Sequence, residues 1–201
     1  MSEMLTLQDI ERARSFYRQG YWQDDTLYTV LRDWAERQPD GYALRDTYSR
    51  LTYREAVEWV DAIAEDLHES GLRPGDRVSV WLSSRIEIAL VFLACSRMGY
   101  ACNPSLHRDY TCADIVALLE RIGAAAFFIQ PGYGADADRN NILEMVGDIG
   151  SLKRIYEIQP HEANGPEVAT PGYFALEQKR DSELAYSTSP DKITFLAFTS
   201  G

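Results

Sequence analysis

The sequence predicts an α/β fold, a mainly parallel sheet in layers with helices on its faces. Three observations predict it. From Arg77 onward, apolar runs of strand length alternate with helical patterns, the signature of strands joined by crossover helices. The run Ala124–Gln130 is continuously apolar rather than alternating, as a strand covered on both faces must be. Ile86–Met98 is a nearly all-apolar helix and needs cover on several sides.

The elements follow in order. Thr6-Leu7-Gln8-Asp9 opens a first helix whose apolar positions are Leu7, Ile10, Phe16 and Tyr17, with Gly20 as its stop. Thr26 opens a second, in which Leu27, Val30, Leu31, Trp34 and Ala35 keep the spacing of one helical face until Pro39-Asp40-Gly41 ends it. Tyr42–Asp46 and Arg50–Tyr53 read as a hairpin-like pair. Thr52 with Glu55 forms a capping box, in which each side chain satisfies a backbone N–H of the other residue. That helix carries Ala56, Val60, Ile63, Ala64 and Leu67 and stops at Gly71. The turn Arg73-Pro74-Gly75-Asp76 leads into strand Arg77–Leu82, helix Ile86–Met98, a stop at Gly99 and strand Tyr100–Asn103. Thr111 opens helix Ala113–Ile122, closed by Gly123 before strand Ala124–Gln130. A helix near Ile142–Val146, a strand Lys153–Ile158, a short helical piece Tyr173–Gln178 and a polar linker Lys179–Asp191 precede a last strand that starts at Lys192.

Composition bounds the partners. The 201 residues are 45% hydrophobic and 25% charged, as in an ordinary soluble protein of one or two domains. The net charge of −11 argues against nucleic acid or an anionic membrane surface as the main partner, since both require clustered Lys and Arg. The acidic start Met1-Ser2-Glu3-Met4 lacks the basic and apolar parts of a signal peptide, and the longest apolar stretch is too short to span a bilayer. Cys95, Cys102 and Cys112 cannot all pair and form no Cys-x-x-Cys, which fits a reduced cytoplasm.

The chemistry concentrates at the end of the chain. Lys192-Ile193-Thr194-Phe195-Leu196-Ala197-Phe198 runs directly into Thr199-Ser200-Gly201. Hydroxyls and a glycine just after a strand are what a phosphate site needs: donors, and a backbone that an anion can approach closely. Alone, Thr-Ser-Gly is a weak signal, because polar turns follow strands in every α/β protein.

The order of features from Thr26 to Gly201 resembles the N-terminal part of the adenylate-forming acyl-CoA synthetases, the AMP-binding superfamily. The matching pieces are Leu31-Arg32-Asp33-Trp34-Ala35-Glu36-Arg37-Gln38-Pro39-Asp40, Ala43-Leu44, Leu51-Thr52-Tyr53-Arg54-Glu55 and Gly71-Leu72-Arg73-Pro74-Gly75-Asp76-Arg77-Val78. Then come Ala94-Cys95-Ser96-Arg97-Met98-Gly99-Tyr100, Asn103-Pro104 and finally Phe198-Thr199-Ser200-Gly201, which is similar to the opening of that family's Thr-Ser-Gly-Thr-Thr-Gly-x-Pro-Lys-Gly loop. Several pieces in the right order are far more specific than any one. Phe16-Tyr17-Arg18-Gln19-Gly20-Tyr21-Trp22 is similar to the opening segment of ligases for aryl, alicyclic or medium-chain acids; a helix pinned by aromatics explains it equally well.

The resemblance implies an ATP-dependent acid–CoA ligase. A carboxylate would attack the α-phosphate of Mg-ATP to give an acyl-adenylate and pyrophosphate, and a thiol, coenzyme A or a carrier protein's, would then take the acyl group. It implies that Thr199, Ser200 and Gly201 begin the loop that holds the ATP phosphates, and it assigns no catalytic residue and no metal ligand within the chain. On this reading residues 1–25 are a helical extension and 26–201 a partial adenylation domain cut at the start of the loop. Such a piece is expected to be inactive alone and to self-associate through uncovered apolar edges.

Two other classes stay open. One is a non-catalytic α/β interaction module that ends at Gly201. The other is an NAD-binding oxidoreductase domain: Gly132-Tyr133-Gly134-Ala135-Asp136-Ala137 fits G-x-G-x-x-A after a strand, with Glu157 placed about where a ribose-binding acid belongs. Against it, Pro131, Asp136 and Asp138 put rigidity and negative charge where a pyrophosphate should rest. Cys102, His107 and Cys112 match no usual zinc spacing.

Overall fold

The structure, a computed structural model, describes residues 9–104, 106–160 and 182–198. Helix α1 (Ile10–Arg18) is capped by Asp9, whose side chain accepts from Arg12 N at 3.0 Å. The helix thus begins one residue past Asp9, and the expected start at Thr6 lies outside the described residues. Its aromatics fold back on the following turn, with Trp22 edge-on to Phe16 and Tyr17 at 5.2 and 5.5 Å.

Helix α2 (Leu27–Arg37) starts at Thr26 as its capping residue predicts, but of the expected face only Leu31 is buried. Tyr28 and Leu31 are buried, whereas Leu27, Val30 and Trp34 are 40% or more exposed. The cause is a polar tether. The Tyr28 hydroxyl donates to Asp61 Oδ1 at 2.7 Å and Tyr28 N donates to Ser96 Oγ at 3.4 Å, which turns the helix away from its most apolar stripe. Strands β1 (Tyr42–Arg45) and β2 (Arg50–Thr52) pair antiparallel. Helix α3 (Tyr53–Glu69) follows with the Thr52–Glu55 capping box complete, and Ala56, Val60, Ile63, Ala64 and Leu67 are all fully buried.

The remaining elements build one parallel sheet. They are β3 (Arg77–Trp81), α4 (Ile86–Met98), β4 (Ala101–Asn103), α5 (Cys112–Ile122), β5 (Ala124–Ile129), α6 (Ile142–Met145) and β6 (Arg154–Glu157). The strand order is β4-β3-β5-β6, every pair parallel. Glycines 99 and 123 end α4 and α5 in the left-handed region, the conformation that makes glycine the preferred residue there.

Strand alternation sorts the side chains into two cores. Val78, Val80, Cys102, Ala126 and Phe128 face α2, α3 and α4, while Trp81, Phe127 and Ile129 face α5 and α6. The crossovers α4 and α5 lie on opposite faces, as a sheet that winds both ways from β3 requires. Cys95, Cys102 and Cys112 are free and buried. Among the described residues no helix is long and apolar enough to cross a membrane.

The last strand is a correction. Residues 194–196 make one isolated parallel bridge, Cys102 with Phe195, instead of a strand. Its partner β4 is three residues long and already pairs β3, so there is little ladder to extend. The predicted helix Tyr173–Gln178 lies outside the described residues.

Candidate functional site at the carboxyl edge of the sheet

Open parallel sheets take ligands in the crevice beyond the carboxyl ends of their strands, where the winding reverses. Here that point lies between β3 and β5, and the chain's own side chains fill it. Gln130 Oε1 accepts from Ser83 Oγ at 2.7 Å and from Arg85 Nη1 at 3.2 Å. Arg85 also donates to Gln159 O at 2.8 Å and forks onto Glu87 through Nε and Nη2 at 2.9 and 2.8 Å. The Arg85 and Glu87 side chains are 0% and 2% exposed. A guanidinium paired this deeply is an internal brace, because its donors are already spent on protein acceptors.

The helix N-termini at this edge are also taken. Asp46, from the turn between β1 and β2, accepts from Ile86 N at 3.0 Å through Oδ2 and is steadied by Tyr48 N and Ser49 N on Oδ1. At α5, Thr111 and Asp114 form a capping box, and Asp136 Oδ1 accepts from Cys112 N at 2.8 Å. The Cys112 N–H holds the Asp136 carboxyl below the usual carboxylate range, and the Thr111 hydroxyl does the same for Asp114. Each of these helix ends therefore carries a carboxyl group where a phosphate would otherwise sit.

The same geometry accounts for the glycine pattern after β5. Gly134 has φ +140°, and a Cβ built on it would lie 2.5 Å from Trp81 Cη2. Gly134 is there because the buried Trp81 ring leaves no space for a side chain. The helix that follows, α6, has four residues and an Asn141 cap, so no pyrophosphate cradle forms. The Cys102, His107, Cys112 grouping is likewise dispersed. Cys102 faces the first core and Cys112 the second, and the His107 carbonyl accepts from Trp81 Nε1 at 3.0 Å.

What remains is the segment that arrives beside β4. Cys102 N donates to Thr194 O at 2.9 Å, Leu196 N to Cys102 O at 2.8 Å, and Asn103 Nδ2 to Leu196 O at 3.0 Å. The segment thus runs parallel to β4 toward the carboxyl edge, where Phe198 packs against the second core. Thr199, Ser200 and Gly201, the predicted phosphate-binding residues, follow Phe198 in sequence and lie outside the described residues. Clefts of about 510 and 880 Å³ flank residues 182–193, against Tyr28 and Arg97 in one case and Tyr17 and Trp22 in the other. Both lie away from the carboxyl edge.

Sequence reasoning missed the residues that hold this segment. Arg97 and Asp61 form a buried pair, Nε to Oδ1 at 2.8 Å, with side chains 1% and 7% exposed. Lys192 Nζ donates to the carbonyl of Ser96, and desolvation lowers its ammonium to about 8. The available signal was an arginine in the last turn of the mostly apolar helix Ile86–Met98.

Comparison with known proteins decides the family. Residues 31–201 match the AMP-binding enzyme family. The chain belongs to that family. The resemblance read from motif order is therefore borne out, and AMP-binding relatives recur across the comparisons. A "Salicyl-AMP ligase / salicyl-S-ArCP synthetase" of Mycobacterium tuberculosis is 32% identical over 153 residues, 72% of this chain and 26% of its own. A "Salicylyl-CoA synthase / salicylate adenylyltransferase" of a Streptomyces species is 41% identical over 91 residues, 45% of this chain and 16% of its own. The "Medium-chain fatty-acid--CoA ligase" of Escherichia coli is 25% identical over 199 residues, 98% of this chain and 35% of its own. The chain thus spans about a third or less of each of these relatives. The apo structure of Mycobacterium smegmatis MbtA superposes with a TM-score of 0.63 at 25% identity, covering 94% of this chain and 34% of its own. ATP-bound MatB from Rhodopseudomonas palustris, at 19% identity and a TM-score of 0.65, shares the fold over 87% of this chain and 32% of its own.

Proposed function

We propose that this chain serves an ATP-dependent carboxylic acid ligase, as the N-terminal part of its adenylation domain. The observation that carries the reading is the family match over residues 31–201. In the reaction a carboxylate oxygen attacks the α-phosphorus of ATP, the bond to the bridging oxygen breaks, and pyrophosphate leaves. A thiol sulfur then attacks the acyl carbon, the bond to AMP breaks, and the thiol proton goes to solvent or a base. Catalysis of this kind is mainly positioning and charge stabilisation.

Within the chain, Thr199, Ser200 and Gly201 are read as the first donors to the ATP phosphates. Two observations support them: the neighbouring helix ends are already occupied by Asp46 and Asp136, and the segment ending at Phe198 is directed to the same edge. Magnesium is the metal the family implies. Among the described residues no cluster of His, Cys, Asp and Glu could hold it, so no step is assigned to it here. Residues 1–25 act as a helical extension and 26–201 as the partial domain.

The acid is read as an aromatic or medium-chain carboxylate, on the named activities of the relatives above and the pinned aromatics Phe16, Tyr17 and Trp22. Coenzyme A is the acceptor we favour. A carrier-protein thiol is the second reading, favoured by the relative named as a salicyl-S-ArCP synthetase. Three reduced, buried cysteines support a cytoplasmic setting. Exposed Leu27, Val30, Trp34 and Phe195 support self-association of residues 1–201, which sedimentation at micromolar concentration tests, a monodisperse monomer refuting it.

The deciding experiment is acid-dependent ATP–pyrophosphate exchange. The protein as its source cell makes it is expected to catalyse exchange with benzoate-type or medium-chain acids, and residues 1–201 alone are expected not to. No exchange from the former with any acid tested refutes the reading, and exchange from residues 1–201 alone refutes the assignment of a partial site.

A further inference from the structure

Segment 182–198 reaches β4 held by side chains more than by a ladder. The last turn of α4 grips it. Arg97 Nη2 donates to Ser182 Oγ and to Leu184 O, both at 2.9 Å, and Ser187 N donates back to Arg97 O at 2.7 Å. Lys192 Nζ donates to Ser96 O and, at 3.5 Å, to Ser187 O. These acceptors on α4 include carbonyls that the helix end leaves unpaired, and the dipole there favours a cation.

Arg97 itself cannot drift. Its Nε is fixed on Asp61, which also accepts the Tyr28 hydroxyl, and its guanidinium lies 5.3 Å from the centre of the Tyr28 ring. Three elements, α2, α3 and α4, thus converge on one guanidinium whose outer nitrogen holds the segment. A planar fork is suited to this, since one side can be anchored while the other reaches a second acceptor. Downstream, the bridge to Cys102 and the packing of Phe198 fix the far end.

We propose that the last turn of α4 is a latch that sets the position of the loop opened by Thr199, with Arg97 and Lys192 as positioning residues for ATP. The proposal rests on the reading of that loop as a phosphate loop. Lys192 stands seven residues before Thr199, roughly 23 Å of extended chain, so it acts through the segment and not on the phosphates.

The test uses the protein as its source cell makes it, with Lys192→Met and Lys192→Arg, because Arg97 variants also break the buried pair. Hydrogen exchange reads the latch directly. Peptides covering 187–196 are expected to exchange about tenfold faster in Lys192→Met, the size of effect one lost charged hydrogen bond gives, and near the wild-type rate in Lys192→Arg. Equal exchange in all three proteins overturns the latch. The KM for Mg-ATP is expected to rise about tenfold in Lys192→Met while the KM for the acid stays within about twofold. Equal rises in both, or none, overturn the positioning role. If the wild-type protein shows no ATP–pyrophosphate exchange, the phosphate-loop reading and the positioning role fall together, while the hydrogen-exchange result still judges the latch by itself.

Discussion

Replacing Gly134 by alanine separates a glycine kept for packing from one kept for a ligand. Two costs add. The residue sits at φ +140°, where a Cβ is strained, at about 1–3 kcal/mol. The new methyl also falls 2.5 and 2.7 Å from Trp81 Cη2 and Cζ2, and overpacking of a closed core costs about 1–3 kcal/mol more. The ring cannot swing away, because Trp81 is fully buried and its Nε1 is held by the His107 carbonyl. Gly132 is the internal control. It lies at φ +73°, and a methyl added there would meet nothing within 4 Å, so Gly132→Ala incurs the backbone cost alone, about 1 kcal/mol. For a chain of this size 1 kcal/mol moves Tm by about 2–4 °C, so the summed cost of about 2–6 kcal/mol puts the loss for Gly134→Ala at about 4–24 °C and that for Gly132→Ala at about 2–4 °C. Differential scanning calorimetry on the two variants and on Gly134→Ala combined with Trp81→Leu is the assay. The double variant should show coupling, its loss smaller than the sum of the two single losses. Equal losses for Gly132→Ala and Gly134→Ala, or strict additivity with Trp81→Leu, would refute the packing argument.

Other perturbations probe the remaining supports. Thr52→Ala removes one half of a complete capping box and should cost about 1 kcal/mol, read as a lower urea midpoint at unchanged slope. Asp61→Ala leaves the buried Arg97 guanidinium without its carboxylate and should cost about 3–5 kcal/mol; a loss under about 1 kcal/mol would mean the pair is not buried as described. Asp136 has a folded pKa below its ordinary value, so its stabilisation is complete above about pH 3.9 and is lost as pH falls through the lower folded value. Asp136→Asn should flatten that acid limb of the Tm-against-pH curve, and an unchanged limb would count against the Cys112 N–H contact.

What was legible in the sequence follows from which forces are local. Caps placed the starts of α2, α3 and α5, and glycine stops the ends of α4 and α5, to within a residue, because Thr26, Thr52, Thr111, Gly99 and Gly123 act on neighbouring backbone groups. The continuous apolar run of β5 announced a central parallel strand for the same reason. The face of α2 was not legible, since Tyr28 turns inward for Asp61, 33 residues away. Nor was the grip of Arg97 and Lys192 on residues 182–187, which depends on segments far apart in sequence meeting at one helix end. The phosphate-loop residues were readable only from the order of motifs, because three residues carry too little chemistry alone.

The strand order has a consequence for synthesis. β3 is central, but it leaves the ribosome before either neighbour. β4 follows soon after, whereas β5 is complete only at Ile129, roughly fifty residues beyond Trp81, an interval of about 2–10 s at usual elongation rates. Throughout that interval one edge of Val78–Trp81 has no partner within its own chain. Nascent copies spaced along one messenger present the same apolar edge to each other. Slower translation between codons 82 and 129 would lengthen that window, so misassembly of this protein should depend on codon choice there.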